Sequence, residues 1–432
     1  MPAPDLRPTA CAIFADALAQ STVARAFSRF VYHEADALRI GDQIYHLEDY
    51  ARVFVVSIGK AGESMAQAFA ARAEVPLQGV VVTPEPGNLT GFQYFQGGHP
   101  TPTAESVRAA ETILNRLHSL EPNTLVVFLL SGGASSMVEQ PLDPALSLAD
   151  LVTTYRVLVH SGAPIAEINA IRKHLSAVKG GRMALAAAPR RQVSLLVSDV
   201  PDHTPDALAS GPTMPDSTTV EDCYTVAEKY SMTTQFAASV ALLFRDRRLQ
   251  ETPKSSAPAF QNSHWLTVLS NAVALQHAAD SAARSGFTVV TDNSCDDWDY
   301  NRAADYLLSR LRELRQSHPR VCLLSGGEVT VRVTNSGVGG RNQQFALACA
   351  QKIAGAAITV LSAGTDGIDG NSPAAGAVVD GSTWSRASAQ GLDVAQSLAA
   401  FNAYPLFASL GDAIHTGPTG NNLRDLRILL AE

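Results

Sequence analysis

The sequence is poor in cysteine and shows no pairing pattern among the residues it has: Cys11, Cys223, Cys295, Cys322 and Cys349 are odd in number, scattered and without a C-x-x-C pair. That excludes a disulfide framework and a cysteine-based zinc site, and leaves reduced thiols. Cys322 lies in an apolar strand-like run and Cys349 in a helical one, where a thiol serves as core filler. A surplus of positive charge is also missing. The formal net charge is −8, and affinity for a phosphate backbone needs an excess of Lys and Arg, so a general nucleic-acid binder is excluded. A local basic cleft is compatible with that balance, because net charge says little about one site. No apolar run approaches the length of a membrane span. The opening residues carry Asp5 and Asp16 without an unbroken apolar stretch, so no signal peptide is expected. The expected compartment is the cytoplasm, with neither membrane nor nucleic acid as partner.

Three motifs are absent as well. No G-x-x-x-x-G-K-[ST] occurs, which excludes a P-loop kinase. No strand is followed by G-x-G-x-x-G with an acidic residue beyond it, which weighs against a nicotinamide-dependent dehydrogenase. The protein-kinase signatures are missing too.

What is present is an ordinary globular composition, 46% hydrophobic and 17% charged, over 432 residues, enough for two domains. Residues 9–37 read as one or two helices. From residue 52 short apolar strands alternate with helices: strands at 52–57, 79–83, 125–130 and 194–198, helices at 63–73 and 103–120, and a broken helical region at 147–188. The pattern weakens across 214–262, where TPKSSAPAFQNS reads as loop or linker. It then resumes with strands at 265–269, 287–291, 320–324 and 357–362 and helices at 271–285, 303–318 and 342–352. EVTVRVT, 328–334, alternates strictly and reads as an antiparallel or edge strand. Buried strands alternating with helices point to an α/β fold with a parallel sheet covered on both faces. The domains are placed at 1–245 and 246–432.

Nearly every expected strand ends in small or polar residues: SIGKAG, SGGASS, SDVPDH, SGGEV and SAGTDG. In open α/β sheets ligands bind beyond the carboxyl ends of the strands, and glycine-rich turns can aim successive N–H groups at an anion. Any one such turn is equally a tight strand-to-helix connection; together they point to a phosphate-handling cleft. The candidates for phosphate or substrate are Gly59, Ser131, Gly132, Gly133, Ser135, Gly327 and Thr365, with His99 in GGHPTP and Thr416, Thr419 and Asn422 in HTGPTGNN. Two cations stand in such turns, Lys60 and Arg341. Arg172, Lys173 and Lys179, together with Asn169 and Ser176, fall on one helical face, either a solvated basic stripe or one wall of an anionic cleft. Asp199, Glu328 and Asp366 sit on loops after strands, where hard oxygen ligands suit Mg²⁺ bound with substrate phosphates and water.

Taken together, SIGKAGESMAQAF, GGHPTP, SGGASS, NAIRKHLSAVKGGRMA, SDVPDHTPDALASGPT, LSGGEVTV, GGRNQQFAL, LSAGTDGIDGNSPAAGA and HTGPTGNNLRDL resemble the class II glycerate kinases, the glycerate 2-kinase family with a C-terminal MOFRL region. The resemblance runs from about residue 52 to the end. It departs from the usual pattern at Ser136-Met137, Asp202-His203 and Asn421. It implies a two-domain α/β enzyme with a Rossmann-like N-terminal domain, a MOFRL-type region at about 318–428 and an active site in the interdomain cleft. It further implies ATP- and Mg²⁺-dependent phosphorylation of D-glycerate at the C2 hydroxyl, and it puts the family's key lysine and arginine on Lys60 and Arg341. In the mechanism expected from this, Asp199 or Glu328 holds the metal and Asp366 orients or deprotonates the hydroxyl. D-glycerate and the nucleotide are the expected partners, with a homodimer as an open assembly. The rival readings are a hydroxypyruvate reductase, a name members of this family have carried, and a non-catalytic sugar-acid or phosphosugar sensor.

Overall fold

The structure is a computed structural model that describes residues 5–334 and 336–432. The chain gathers into two compact units, the first formed by residues 23–268 and the second by residues 1–22 with 269–432. This division differs from the expected boundary at 245 for two physical reasons. The strand Ser263–Leu269 adds to the sheet of the first unit, where the backbone N–H of Gln192 donates to the carbonyl of Asn262 at 2.8 Å. The opening helix Arg7–Gln20 packs on the helix Asn271–Arg284 and the sheet of the second unit.

The first unit is built on a six-stranded sheet in the order Phe92–Gln96, Leu77–Thr83, Arg52–Ile58, Thr124–Ser131, Arg191–Val197, Ser263–Leu269. The first five strands run parallel. Every residue of Thr124–Ser131 is buried, as expected of a strand covered on both faces. Apolar side chains of these strands form one core with the helix Ala104–Ser119, through Ala109, Ala110, Ile113 and Leu117. That helix opens at Thr103, whose Oγ1 accepts from the N–H of Ser106 while Ser106 Oγ accepts from the N–H of Thr103, a reciprocal capping box. From Arg52–Ile58 the chain adds two strands outward on one side, then returns to add Thr124–Ser131 on the other. The order therefore reverses between these two central neighbours, the position where open α/β sheets bind ligands.

The second unit carries a mixed six-stranded sheet in the order Thr288–Thr291, Val321–Ser325, Asp425–Ala431, Ile358–Gly364, Gly376–Asp380, Ala413–Ile414. The last strand of the chain lies inside the sheet, antiparallel to both neighbours. The helix Arg341–Lys352 packs against it and is buried from Asn342 to Ala350.

Several sequence expectations change. The expected helical stretch 9–37 ends at Phe30: from residue 31 the chain forms a three-stranded antiparallel sheet, Val31–Glu34, Ala37–Ile40 and Gln43–His46, after the helix Val23–Phe30. Residues 328–334 form no strand: apart from one isolated bridge from Thr330 to Asp299 they stay out of the sheet, because Val321–Ser325 already has Thr288–Thr291 on one side and Asp425–Ala431 on the other. Residues 214–262 include two helices, Val220–Lys229 and Ala238–Arg245, whose Cys223, Val226, Val240 and Phe244 enter a core of their own. The five cysteines are free thiols and four are buried. Among the described residues no helix is long and apolar enough to cross a membrane.

Leu429 is fully buried and lies opposite Leu323 and Val360 in the centre of the mixed sheet. Leu429→Ala is expected to destabilise the second unit by about 2–5 kcal/mol, read as a lower urea midpoint; an unchanged midpoint would mean that the strand Asp425–Ala431 is not in the core.

Candidate active site

The reversal point in the first unit brings together eight of the residues singled out from the sequence. Gly59 follows Arg52–Ile58 with φ +128°, and its neighbour Lys60 donates its backbone N–H to the carbonyl of Gly132 at 2.9 Å. A Cβ on Gly59 would stand 2.2 Å from Ser131 Oγ and 2.6 Å from the Ser131 carbonyl, so both the backbone angle and the space demand glycine. Ser131 Oγ in turn accepts from the N–H of Ala61 at 3.1 Å. On the other strand Gly133 has φ +83°, and a Cβ there would meet His99 Cδ2 at 3.0 Å and Lys60 Cγ at 3.3 Å. The Asp199 carboxylate lies against Gly132, 2.0 Å from where a Cβ would be. Ser135 is half-buried in the single helical turn Ala134–Met137 that follows.

The charge state of this cluster is informative. Lys60 is exposed, and among the described residues its ammonium has neither a hydrogen-bond acceptor nor a carboxylate partner. Partial burial, then the charge of Lys60, lower the pKa of His99, so its ring is neutral at neutral pH. The turn therefore offers a free cation, a neutral imidazole and closely approached backbone, which together suit an anion.

The expected basic stripe does not exist as such. The helix Ile165–Leu175 ends before Ser176 and Lys179, so these leave the helical face. Lys179 is buried and pairs with the buried Glu139, which also accepts from Tyr155 Oη at 2.8 Å and Ser176 Oγ at 2.5 Å. Lys173 is held between Asp206, at 3.0 Å, and Asp216, at 3.1 Å. Both lysines are internal ion-pair partners and leave no ammonium for a phosphate; removing one partner of such a pair costs about 3–5 kcal/mol. Arg172 is different. Its guanidinium stacks on Tyr155 at 4.7 Å and has no carboxylate partner among the described residues.

In the second unit Arg341 opens its helix between two carboxylates. Nε and Nη2 donate to Asp425 at 2.7 and 3.0 Å, a two-point contact, and Nη2 lies 3.0 Å from Glu328. Burial works against the charge of Arg341, but the hydrogen bonds and charge of Asp425, then the charge of Glu328, hold its pKa above the ordinary arginine range. Among the described residues its Nη1 group makes no such bond, so its donors are unused. The helix terminus itself is taken by Asp369, which accepts from the N–H groups of Asn342 and Gln343 at 3.1 and 2.9 Å. Burial pushes the pKa of Asp369 up to about 6, against the pull of those two donors.

The remaining candidates of this unit divide. Asp366 is half-buried beside Gly364, and among the described residues Oδ1 accepts only the N–H of Ile368, at 3.2 Å. Thr365, Thr419 and Asn422 are committed internally rather than presented to a ligand: Thr365 Oγ1 donates to the carbonyl of Arg424 and accepts from Leu423, Thr419 Oγ1 bonds the carbonyl of Thr365, and Asn422 accepts from Arg424. Thr416 is exposed and donates to the carbonyl of Gly417. The N–H of Gly327 goes to Asn271.

As for metal, no group of three or more His, Cys, Asp or Glu side chains gathers to hold an ion among the described residues. Glu328 does not fit as a ligand, because its carboxylate is engaged by Arg341 and lies 4.0 Å from Arg424. Asp199, beside the glycine turn, does fit the single carboxylate that a magnesium–nucleotide takes from a protein. The sequence reading missed Asp425 and Glu139. Asp425 had a signal, a carboxylate at the head of the apolar run Asp425–Ala431; Glu139 had none, since its partners come from two other segments, Tyr155 and Ser176 with Lys179.

Two family models match the chain. Residues 9–245 fit one described as a domain of unknown function, DUF4147, and residues 321–425 fit the MOFRL family. A D-glycerate 2-kinase of Thermotoga maritima is 38% identical over 387 residues, covering 87% of this chain and 90% of that one. A protein of Agrobacterium vitis that carries a hydroxypyruvate reductase name is 36% identical over 88% of this chain and 87% of its own. A crystal structure of glycerate kinase from Thermotoga maritima superposes with a TM-score of 0.86 at 34% identity, covering 99% of both chains. On this evidence the chain belongs to the glycerate kinase family whose members join a DUF4147 region to a MOFRL region.

Proposed function

We propose that this protein transfers the γ-phosphoryl group of ATP to the C2 hydroxyl of D-glycerate, forming 2-phospho-D-glycerate and ADP, as a cytoplasmic enzyme that uses magnesium. The observation that carries the reading is Lys60: a cation without a partner among the described residues, at the reversal point of a parallel sheet, between two glycine turns. Phosphoryl transfer asks a protein chiefly to position groups and neutralise charge, and this is what such a turn supplies. In the transfer, the bond from the γ-phosphorus to the β,γ-bridging oxygen breaks and one to the C2 oxygen forms. Lys60 and Arg341 are assigned to neutralise charge on the phosphoryl oxygens, and Asp366 to take the hydroxyl proton. Backbone N–H groups of the glycine turns bind phosphate oxygens. Magnesium, when bound with the nucleotide, supplies further charge neutralisation, and Asp199 is the residue that would hold it. Asp425 acts through Arg341 as a positioning residue.

The reductase name of the relative finds no support in the residues here. The first strand-to-helix turn, Ile58-Gly59-Lys60-Ala61-Gly62, lacks the G-x-G-x-x-G run that lays a dinucleotide pyrophosphate on a helix.

Purified protein given D-glycerate, ATP and Mg²⁺ is expected to yield a product that enolase consumes directly. A product that needs phosphoglycerate mutase first would place transfer on C3, and no ADP at all would end the kinase reading. Within that assay Lys60→Ala and Arg341→Ala are each expected to lose about 10³-fold in kcat, and Asp366→Asn about 10²-fold or more as the hydroxyl proton loses its acceptor; near-normal turnover removes the residue concerned from the mechanism.

Asp425→Asn is expected to lower kcat by about 10²-fold through misplacement of the guanidinium. The double variant with Arg341→Ala is expected to be no slower than Arg341→Ala alone, since the two act as one unit. Additive losses would mean that Asp425 works independently of Arg341.

A further inference from the structure

We propose that Arg172 binds the carboxylate of the acceptor acid, in a groove of the first unit between the helix Leu148–His160 and the loop at residues 100–102. The proposal rests on the kinase reading above and adds to it the place where the acid is held.

Arg172 lies in the last turn of the helix Ile165–Leu175, with its guanidinium stacked on the Tyr155 ring. Its Nε is shut off from solvent and has no hydrogen-bond partner among the described residues. A charged donor without an acceptor is costly, and native structures rarely leave one without a reason. Among the described residues no carboxylate pairs with it. Glu139 is the nearest through Tyr155, but it is already matched by Lys179 and by the hydroxyls of Tyr155 and Ser176. Asp206 and Asp216 are drawn onto Lys173. Glu139 is thus matched by Lys179, while Arg172 and the neighbouring Arg156 line the groove, so the charge there is net positive.

Arg172 lines a cavity of about 230 Å³ together with Thr101, Tyr155, Arg156, Val159 and His160 among others. The volume is below the roughly 300–1,000 Å³ of pockets for drug-sized ligands and suits a smaller acid. Two further features favour a planar oxyanion. The Tyr155 hydroxyl is fixed by Glu139, so the ring that supports Arg172 is held in place. A stacked arginine keeps its fork of N–H groups free for two-point contact with a carboxylate. The groove also adjoins the Lys60 turn through a single short loop, because His99 stands beside Gly133 and Lys60 while Pro100, Thr101 and Pro102 form its wall.

The test is steady-state kinetics on the full-length protein. Arg172→Lys, which keeps the charge and loses the fork, is expected to raise KM for D-glycerate about tenfold, and Arg172→Gln about 10²-fold. In both, kcat and KM for ATP should stay within about threefold, the pattern of a lost ground-state contact. An unchanged KM for D-glycerate would overturn the proposal, and a rise in KM for ATP instead would assign the groove to the nucleotide. A measurement on the unmodified protein guards against a variant that does not fold: phenylglyoxal labelling of Arg172, followed by mass spectrometry. D-glycerate without nucleotide should slow the labelling, and inorganic phosphate at the same concentration should not. Equal protection by phosphate would mean a general phosphate site and would overturn the carboxylate assignment. The two readings fail separately: a wild-type kinase whose Arg172 variants keep their KM sinks this inference alone, whereas protection by D-glycerate in a protein that forms no phosphoglycerate sinks the kinase reading and leaves the site.

Discussion

The site in the first unit depends on how closely two neighbouring parallel strands approach as they end. Past Ile58 the backbone turns at Gly59 against Ser131, with no room for a side chain, and the Lys60 N–H continues the pairing to Gly132. That contact fixes where the lysine side chain starts, brings His99 over the second turn and lays Asp199 against it. It falls where the order of the sheet reverses, so the helices leave on either side and the strand ends stay uncovered. A side chain at either turn would spread the strands and lose the arrangement.

Around that constraint the protein sorts its cations by whether they have partners. Lys173 and Lys179 are buried and matched by carboxylates, and Arg424 is matched two-point by Asp296. Such pairs must be complete, because desolvation of a lone charge outweighs most of what a fold can supply. Among the described residues Lys60 and Arg172 have no carboxylate partner. Arg341 is intermediate: Asp425 and Glu328 orient it, and the burial of Asp425 keeps that contact rigid. A positioned arginine with one nitrogen left over is better suited to a transient charge than a mobile one, since no reorganisation is needed when the charge develops.

The parallel core was legible because its strands are continuous apolar runs: Thr124–Ser131 and Arg52–Ile58 appear within a residue of their expected ends. Phe92–Gln96, an edge strand of mixed polarity, carried no such pattern, and Val31–His46 is short enough for its apolar residues to fit a helix equally well. EVTVRVT had the alternation of a strand but no vacant neighbour to pair with. Lys60, Gly132 and Gly133 were legible for a local reason, glycine at a strand end. Lys173 and Lys179 misled for a non-local one: a basic stripe in sequence does not reveal carboxylates that arrive from residues 139, 206 and 216. Asp425 likewise owes its role to a strand inserted between two segments remote from it in the chain.

The central claim is that the Lys60 ammonium, left without a partner in its turn, is the cation that phosphoryl transfer uses. Chemical rescue of the full-length Lys60→Ala protein tests it most directly. The account predicts that ethylammonium restores kcat saturably, while tetramethylammonium, which has the charge but no N–H, does not. Turnover near the wild-type value without any added amine would contradict it.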